Sequence, residues 1–329
     1  MKKKLSIYHI GDIVVVLLMV VLVCFVGYRI INKHLIYAKD NDEKDMVTYQ
    51  GHKYAYNEDL YTVLFMGLDS RDMNDAPAYD NVKNAGVQSD TLILFILNTK
   101  EKSLKVLPIS RDTITSIDIY DFGGNRSGTS KAQITLQYAY AGGGKKSAEA
   151  TCKAVSNLLY GVKVDRYCAL DLNSISKLND AIGGVTVDVI ETLDEELVEG
   201  KRVTLHGEQA ETYVRNRFHD KSGGNDYRME RQKQYFREYV KTFIKKMKAD
   251  ITLPLDVFSS ISDDMNTNIK TSEFVKLVST FIKCDLSDDV YLSEPGENVF
   301  NETTSHDEFI VDDKAMFDLV LKTFYKKVD

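Results

Sequence analysis

The sequence predicts an α/β fold: a layered α-β-α domain with a central mixed sheet, preceded by one N-terminal transmembrane helix. Short apolar runs bounded by glycine or by polar turns are typical of buried strands, and several occur after residue 60. Segments with an apolar residue at every third or fourth position lie between and after these runs, a spacing typical of helices. Strands that alternate with helices indicate layers packed on one sheet.

The composition excludes several classes of protein. The 329 residues include 42 basic and 49 acidic side chains, a net charge of −7, and 43% of them are hydrophobic. A disordered tail, a collagen-like repeat and a disulfide-dense miniprotein have different compositions. Because proteins that wrap nucleic acid usually present a basic face, the negative balance predicts no nucleic-acid partner.

The N-terminus combines a basic start with an apolar stretch. Lys2, Lys3 and Lys4 precede this stretch, whose uncharged part, residues 13–28, is 16 residues long. A helix of this length spans about 24 Å. It crosses the bilayer's hydrocarbon core of roughly 30 Å only if its flanking residues reach the membrane interfaces. A cleaved signal peptide also fits, but no small-x-small cleavage site follows. We favour a single-pass cell-membrane anchor in residues 1–31, with the N-terminus cytoplasmic and the main domain extracellular.

Three segments follow the anchor. Residues 32–59 are polar and mixed in charge, which suits a stalk, and residues 60–249 contain the predicted strands and helices of the main domain. Residues 250–329 form a C-terminal extension with ten acidic residues and no Lys or Arg between 284 and 313. A solvated surface explains this run, with cation binding or repulsion of anionic wall polymers as alternatives.

The strands and helices can be placed from local patterns. The first three strands are predicted at 61–66, 91–97 and 104–109, and a polar turn joins the last two as a hairpin. The spacing of Ala132, Leu136 and Tyr140 predicts a helix that Lys131 begins, after a glycine-rich loop. The later predicted elements are a helix around 148–159, strands at 167–170 and 185–189 with a helix between them, and a long helix over 226–249.

Charged side chains lie at the ends of the first three strands. Asp69 and Arg71 follow the first strand, Asp90 precedes the second, and Arg111 follows the third. A hairpin of the second and third strands brings Asp90 and Arg111 to the same sheet edge, where α/β folds build sites. Each residue alone fits a turn or a surface salt bridge, but together they indicate a site.

A second predicted cluster consists of four arginines and a glutamine: Arg215, Arg217, Arg228, Arg231 and Gln232. Arg215 and Arg217 point the same way if the chain is extended there. Arg228 and Gln232 lie at the N-terminal end of the apolar stripe of the long helix, where an arginine is costly unless it is paired or faces an anion. Guanidinium groups suit phosphate or diphosphate, and a structural salt-bridge network is the alternative.

The two carboxylates suggest a metal. Asp69 and Asp90, together with phosphate oxygens, provide the hard ligands that Mg²⁺ prefers. A divalent ion would neutralise charge on a leaving diphosphate. Lys131 either adds a point charge to the anion site or lies at the surface. The sequence contains no phosphate-binding P-loop motif and no Gly-x-Ser-x-Gly elbow.

Sequence blocks around these residues resemble the LytR–CpsA–Psr family and occur in that family's order. The blocks are residues 63–71, 89–91, 110–112, 181–185, 207–210, 213–217 and 226–232. The resemblance implies a single-pass membrane protein of mainly Gram-positive bacteria with its domain outside the cell. It also implies Mg²⁺-assisted phosphotransferase activity, in which undecaprenyl-diphosphate-linked glycopolymers such as teichoic acid or capsule are ligated to peptidoglycan.

The resemblance also implies roles for individual residues. The family's aspartate pair corresponds to Asp69 and Asp90, and its arginine after the third strand corresponds to Arg111. Its diphosphate clamp corresponds to Arg215, Arg217, Arg228 and Gln232. We predict Asp90 and Arg111 as catalytic, Asp69 and Asp90 as metal ligands, and Arg71, Lys131 and Arg231 as further diphosphate contacts. The choice between base and metal ligand for the two aspartates stays open.

Two other functions fit the same residues. One is a pyrophosphatase of polyprenyl-diphosphate-linked intermediates that uses water as the acceptor. The other is a non-catalytic module that binds polymer at the membrane and scaffolds wall assembly.

Overall fold

The computed structural model describes residues 46–72, 86–121, 123–216, 224–274, 277, 290–303 and 305–328. The predicted membrane anchor lies outside them. Within these ranges, no helix is both long and apolar enough to span a bilayer. The described residues form two compact units, one of residues 46–57 with 325–328 and the other within 58–324.

The strands, in chain order, are β1 (Met46–Tyr49), β2 (His52–Tyr56), β3 (Leu60–Leu68), β4 (Ser89–Asn98), β5 (Ser103–Ile109), β6 (Ile114–Tyr120), β7 (Arg126–Gln133), β8 (Arg166–Leu170), β9 (Val185–Asp188), β10 (Arg202–Leu205), β11 (Met265–Thr267), β12 (Gly296–Asn301), β13 (His306–Val311) and β14 (Tyr325–Lys327). The helices are α1 (Leu136–Tyr140), α2 (Gly144–Leu158), α3 (Asn173–Ala181), α4 (Glu208–Arg215), α5 (Gly224–Ala249), α6 (Leu253–Ser260) and α7 (Asp313–Phe324).

The smaller unit is a three-stranded antiparallel sheet in the order β1-β2-β14. The turn between β1 and β2 uses Gln50 and Gly51, which both have positive φ. Tyr56 and Tyr325 pack edge to face, with ring centroids 5.6 Å apart. The described part of the predicted stalk is therefore folded as strands.

The larger unit contains a five-stranded sheet in the order β11-β8-β3-β4-β5. β3 pairs with β8 in parallel, while the other neighbours are antiparallel. The prediction of a mixed α/β fold with a central mixed sheet is confirmed. The three predicted strands correspond to β3, β4 and β5, and the predicted hairpin is the β4–β5 pair.

Apolar side chains pack on both faces of this sheet, which explains the uninterrupted apolar runs. Leu64 and Leu94 are fully buried on one face. Ile93 and Phe95 point to the opposite face and pack in a cluster that includes Val290. Strands covered on both faces lose the polar alternation of half-exposed strands. Residues of the C-terminal extension therefore belong to the same core as β4.

The helices enclose two regions of the core. α2 contacts β6, β8 and β11, while α3, α4, α5 and α6 contact one another or the β9–β10 hairpin. Tyr235, Tyr239 and Phe243 of α5 pack against the cluster that contains Val185 and Val187. Residues one helical turn apart on α5 thus form its buried stripe. The predicted place of Gln232 at the N-terminal end of this stripe is wrong, because Gln232 is exposed and the buried Arg231 lies one turn before Tyr235.

Two local predictions are wrong. Lys131 does not begin a helix, because it lies in β7 opposite Ser116 of β6, and α1 begins only at Leu136. Arg215 is not in an extended segment, because it is the last residue of α4. The error at Lys131 has a physical reason: β7 is mostly exposed and is held by its pairing with β6, so its sequence carries no apolar pattern.

Candidate active site

Asp90 and Arg111 form an ion pair at one end of the β4–β5 hairpin. Leu92 lies opposite Ile109 in the antiparallel register, so Asp90 and Arg111, each two residues further on, reach the same edge. Arg111 Nη1 donates to Asp90 Oδ1. Arg111 Nη2 also lies 3.5 Å from Gln88 Oε1. The Asp90 side chain is 39% exposed and that of Arg111 is 35% exposed, so solvent and ligands reach this pair.

Asp69 lies beside this ion pair. A register shift between Gly67 and Leu68 leaves Leu68 opposite Ser89 as the last pair of the β3–β4 ladder. Just beyond it, the Gln88 N–H donates to Asp69 Oδ1 at 2.7 Å. Desolvation raises the pKa of Asp69, and the nearby Asp90 carboxylate adds to the rise. The Gln88 hydrogen bond and the Arg111 charge oppose it. Two carboxylates and one guanidinium therefore share this edge of the sheet.

A second group joins Arg71, Glu211 and Arg215. Arg71 Nη2 lies 3.0 and 2.9 Å from the two carboxylate oxygens of Glu211, and Arg71 Nη1 donates to Asn173 Oδ1 at 2.9 Å. Arg215 Nη1 donates to Glu211 Oε1 at 2.6 Å. Glu211 is 7% exposed, whereas the Arg71 and Arg215 side chains are 58% and 45% exposed. One buried carboxylate thus holds two exposed guanidinium groups.

These side chains line an open cavity of about 370 Å³. Its lining residues are Arg71, Glu208, Glu211, Thr212, Arg215 and Asn216. Arg71 follows Asp69 by two residues, so their Cα atoms are at most about 7 Å apart. A short segment therefore connects the cavity lining to Asp69, and the polar lining suits an anionic or hydroxyl-rich ligand.

Arg231 and Gln232 contact the end of α4. Arg231 is fully buried, its Nε lies 3.0 Å from Glu191 Oε1, and its two terminal nitrogens donate to the carbonyls of Tyr213 and Asn216. Gln232 Nε2 donates to the Val214 carbonyl at 3.0 Å. These bonds satisfy carbonyls that a helix end leaves unpaired. The prediction that Arg231 contacts a diphosphate is wrong, because protein groups surround its guanidinium group and leave it without exposure to a ligand.

The structure brings some of the other predicted residues together and separates others. Asp69, Asp90 and Arg111 converge, and Arg71 and Arg215 share the cavity. Lys131 is exposed on β7 and contributes no contact described at either group. Arg217 and the side chain of Arg228 lie outside the described residues.

Two acidic residues of the site are not among those predicted from the sequence. Glu211 precedes Arg215 by four residues, a spacing that favours ion pairs on a helix and would have indicated their contact. Glu294 accepts hydrogen bonds from the Ser110 N–H at 2.6 Å and from the Thr113 hydroxyl at 2.9 Å. Burial raises the pKa of Glu294 to about 7, against the effect of those two bonds. No local pattern links Glu294 to residues so far away in sequence.

The described residues contain no cluster of three or more histidine, cysteine, aspartate or glutamate side chains that would hold a metal alone. Asp69 and Asp90 offer two carboxylates instead. A magnesium ion usually takes one or two protein carboxylates and completes its shell with water and substrate phosphates, so this donor set fits it.

The fold and these side chains define a mixed α/β domain with a polar cavity lined by two arginines and with an Asp69–Asp90–Arg111 group at the edge of its sheet. The model of the LytR_cpsA_psr family matches residues 25–320, and the chain belongs to this family. The resemblance seen in the sequence blocks is thereby confirmed.

Several curated relatives align with the chain. Biofilm regulatory protein A of Streptococcus mutans is 29% identical over 242 residues, which are 70% of this chain and 55% of that protein. The polyisoprenyl-teichoic acid–peptidoglycan teichoic acid transferase TagV of Bacillus subtilis is 31% identical over 228 residues, which are 66% of this chain and 52% of that protein. The chain thus spans about half the length of these two relatives.

Solved structures share the fold. The crystal structure of B. subtilis TagV matches with a TM-score of 0.56 and 24% identity, covering 81% of this chain and 96% of that one. A structure described as TagT bound to LI-WTA matches with a TM-score of 0.57 and 19% identity, covering 81% of this chain and 90% of that one. At these identities the likeness establishes the fold alone.

Proposed function

We propose that the protein is an extracellular phosphotransferase that moves a glycopolymer from a polyprenyl diphosphate carrier to peptidoglycan. Its domain would lie outside the cell on a single-pass anchor whose N-terminus is cytoplasmic. Family membership and the named activity of the TagV relative support the reaction class. The polymer belongs to the teichoic acid or capsule class.

One observation carries the proposal: Arg111 and Asp90 pair near Asp69, and two exposed arginines line a cavity. One of these arginines, Arg71, follows Asp69 by two residues. A diphosphate needs several positive groups along its length and a group beside the reacting phosphorus. Arg71 and Arg215 would bind the diphosphate oxygens, and Arg111 would contact the phosphate next to the glycan. Arg217, Arg228 and Gln232 complete the proposed clamp.

Asp69 and Asp90 would hold Mg²⁺ when it is bound. The ion supplies neutralisation of the negative charge that builds on the leaving phosphate. Without a cation the two carboxylates would repel a diphosphate, because like charges disfavour each other at short range.

The proposed step balances as a simple displacement. A peptidoglycan sugar hydroxyl attacks the phosphorus next to the glycan, and a new oxygen–phosphorus bond forms. The bond from that phosphorus to the bridging oxygen breaks, and polyprenyl phosphate leaves. The hydroxyl proton passes to Asp90 or Asp69, and the carboxylate that accepts it then acts as the base, while the other stays a ligand of the cation.

An arginine substitution tests the proposal. We expect Arg111→Ala to lower transfer of labelled polymer from the lipid diphosphate to peptidoglycan by about 100-fold or more, because a charge that stabilises the transition state is lost. The matched control is Arg202→Ala, since Arg202 forms an exposed pair with Asp188 at 3.0 Å on β10, and its transfer should be unchanged. Equal transfer by both variants would refute the proposal.

The two competing functions are outcomes of the same assay. Release of polyprenyl phosphate without any wall-bound product would show that water is the acceptor and that the protein is a pyrophosphatase. A wild-type level of wall assembly in cells that carry only Asp90→Ala would show that the protein is a non-catalytic scaffold. Either result overturns the transferase proposal.

A further inference from the structure

The C-terminal segment of residues 290–312 holds the loop that carries Arg111. The Leu292 N–H donates to the Val106 carbonyl at 2.8 Å, on the strand that leads into the loop. The Phe309 N–H donates to the Asp112 carbonyl at 2.9 Å, on the residue after Arg111. The segment is closed on itself, because the Asp312 N–H donates to the Pro295 carbonyl at 3.1 Å. The loop is therefore held on both sides of the arginine.

Glu294 lies at the centre of these contacts. Oε2 of its carboxyl group accepts the Ser110 N–H at 2.6 Å, and Oε1 accepts the Thr113 hydroxyl at 2.9 Å. Thr113 is fully buried, so its hydroxyl group has no water to replace this acceptor. One side chain thus contacts the residue before Arg111 and the second residue after it.

The Arg111 side chain itself has few restraints. It is 35% exposed, and beyond its bond to Asp90 its protein contacts are long: 3.5 Å to Gln88 Oε1 and 3.6 Å to Asp112 Oδ1. Five donor groups on a long flexible stem need a fixed backbone to keep one direction. The loop backbone therefore sets the position from which the side chain reaches Asp90, and the bond to Asp90 sets the direction of the guanidinium group.

We propose that Glu294 is a positioning residue for Arg111: its carboxyl group fixes the loop backbone so that the guanidinium group faces the diphosphate. The proposal rests on the proposed function, because it takes the diphosphate as the ligand of Arg111. A displacement of about 1 Å in a reacting group costs up to about 100-fold in rate, which gives such a residue a large effect without contact to substrate.

Glu294→Ala and Glu294→Gln test the proposal in the full chain, with Glu297→Gln as the matched control on exposed β12. We expect Glu294→Ala to lower kcat for polymer transfer by about tenfold or more while KM for the lipid-linked donor changes less than about twofold, because the other arginines still bind it. Glu294→Gln keeps an acceptor oxygen and should recover most of kcat. Glu297→Gln should match the wild type.

Hydrogen exchange of the Ser110 amide gives a readout that does not depend on turnover. We expect Glu294→Ala to raise its exchange rate by about tenfold, while amides inside β4 keep their protection. Suppose that the wild type transfers no polymer, while the Ser110 amide loses its protection in Glu294→Ala. In that case the proposed function is wrong, but the finding that Glu294 supports the loop holds. If Ser110 keeps its protection, or if Ala and Gln variants have equal kcat, the positioning proposal fails.

A second variant covers the case in which Glu294→Ala does not fold. Thr113→Val removes one of the two donors at nearly constant volume and leaves the Ser110 bond in place. We expect it to lower kcat by about threefold, less than the alanine substitution, with KM unchanged. A Thr113→Val protein with wild-type kcat would overturn the proposal.

Discussion

Arg231 and Glu191 form a buried ion pair in which Arg231 Nε lies 3.0 Å from Glu191 Oε1. The Arg231 side chain is fully buried, and that of Glu191 is 9% exposed. Because the same guanidinium group donates to the carbonyls of Tyr213 and Asn216, the pair fixes the end of the helix that presents Arg215. The sequence suggests Arg231 as a ligand contact, but in the structure it supports the end of α4 from the protein interior.

Loss of that arginine should be costly for stability. We expect Arg231→Ala to lower the free energy of unfolding by about 3–5 kcal/mol, because a buried carboxylate and two carbonyls lose their partner. Urea unfolding measures the change. Arg237→Ala, an exposed position on the same helix, serves as control and should shift the value by less than about 0.5 kcal/mol. Similar losses in both variants would mean that the buried pair has no special role.

Asp118 is a buried carboxylate with two cationic partners, Arg126 Nε at 2.7 Å and Lys153 Nζ at 2.6 Å. Burial alone would raise the pKa of Asp118, but the hydrogen bonds from Lys153 and Arg126 hold it below 3.8, its ordinary value. A depressed pKa contributes stability above the unfolded value, and this contribution disappears as the pH falls below it.

We therefore expect Asp118→Asn to lower the free energy of unfolding by about 1.5–3 kcal/mol at pH 7 and by clearly less at pH 3. Unfolding in guanidinium chloride at the two pH values measures this loss of stability. The exposed Asp188–Arg202 pair provides the control, because Asp188→Asn should change stability by less than about 1 kcal/mol at pH 7. A loss for Asp118→Asn that is independent of pH would contradict the assigned charge state.

Glu211 competes with any anion for Arg71 and Arg215. We expect Glu211→Gln to tighten binding of inorganic pyrophosphate by about three- to tenfold, because both guanidinium groups lose their internal carboxylate partner. Isothermal titration calorimetry measures the affinity. Glu195→Gln is the control, since Glu195 is exposed and does not line the cavity. Weaker binding by Glu211→Gln would show that Glu211 positions the arginines more than it competes.

Glu294 should also give the protein a pH-dependent stability. Its pKa is raised to about 7 from 4.5, so the folded protein binds this proton more tightly than the unfolded chain does. The contribution is fully present below pH 4.5 and is lost as the pH rises to about 7. We expect wild type to lose up to roughly 3 kcal/mol relative to Glu294→Gln over that range. A constant difference between the two proteins would show that the carboxyl group titrates normally.

The sheet and the acidic edge could be predicted because their signals are local. The apolar runs of β4 and β5 and the polar turn between them fix the hairpin, and the hairpin brings Asp90 to Arg111. The long helix was predicted from its apolar stripe, and α5 confirms it with a start at Gly224 instead of residue 226.

The parts that escaped prediction depend on distant partners. β7 has no apolar alternation and exists because β6 pairs with it. The burial of Arg231 depends on Glu191 and on the carbonyls of another helix, and the role of Glu294 depends on a loop 184 residues earlier. A pattern within one segment contains no information about such contacts.

The contact between Glu294 and the Ser110 amide also sets the order in which the protein matures. During synthesis from the N-terminus, Ser110 and Arg111 leave the ribosome long before Glu294 and Phe309, so the contacts that hold this loop form only after about 184 further residues have been made. A nascent chain that stops before residue 294 lacks the carboxyl group that accepts the Ser110 N–H, and under the positioning proposal its Arg111 would be misdirected.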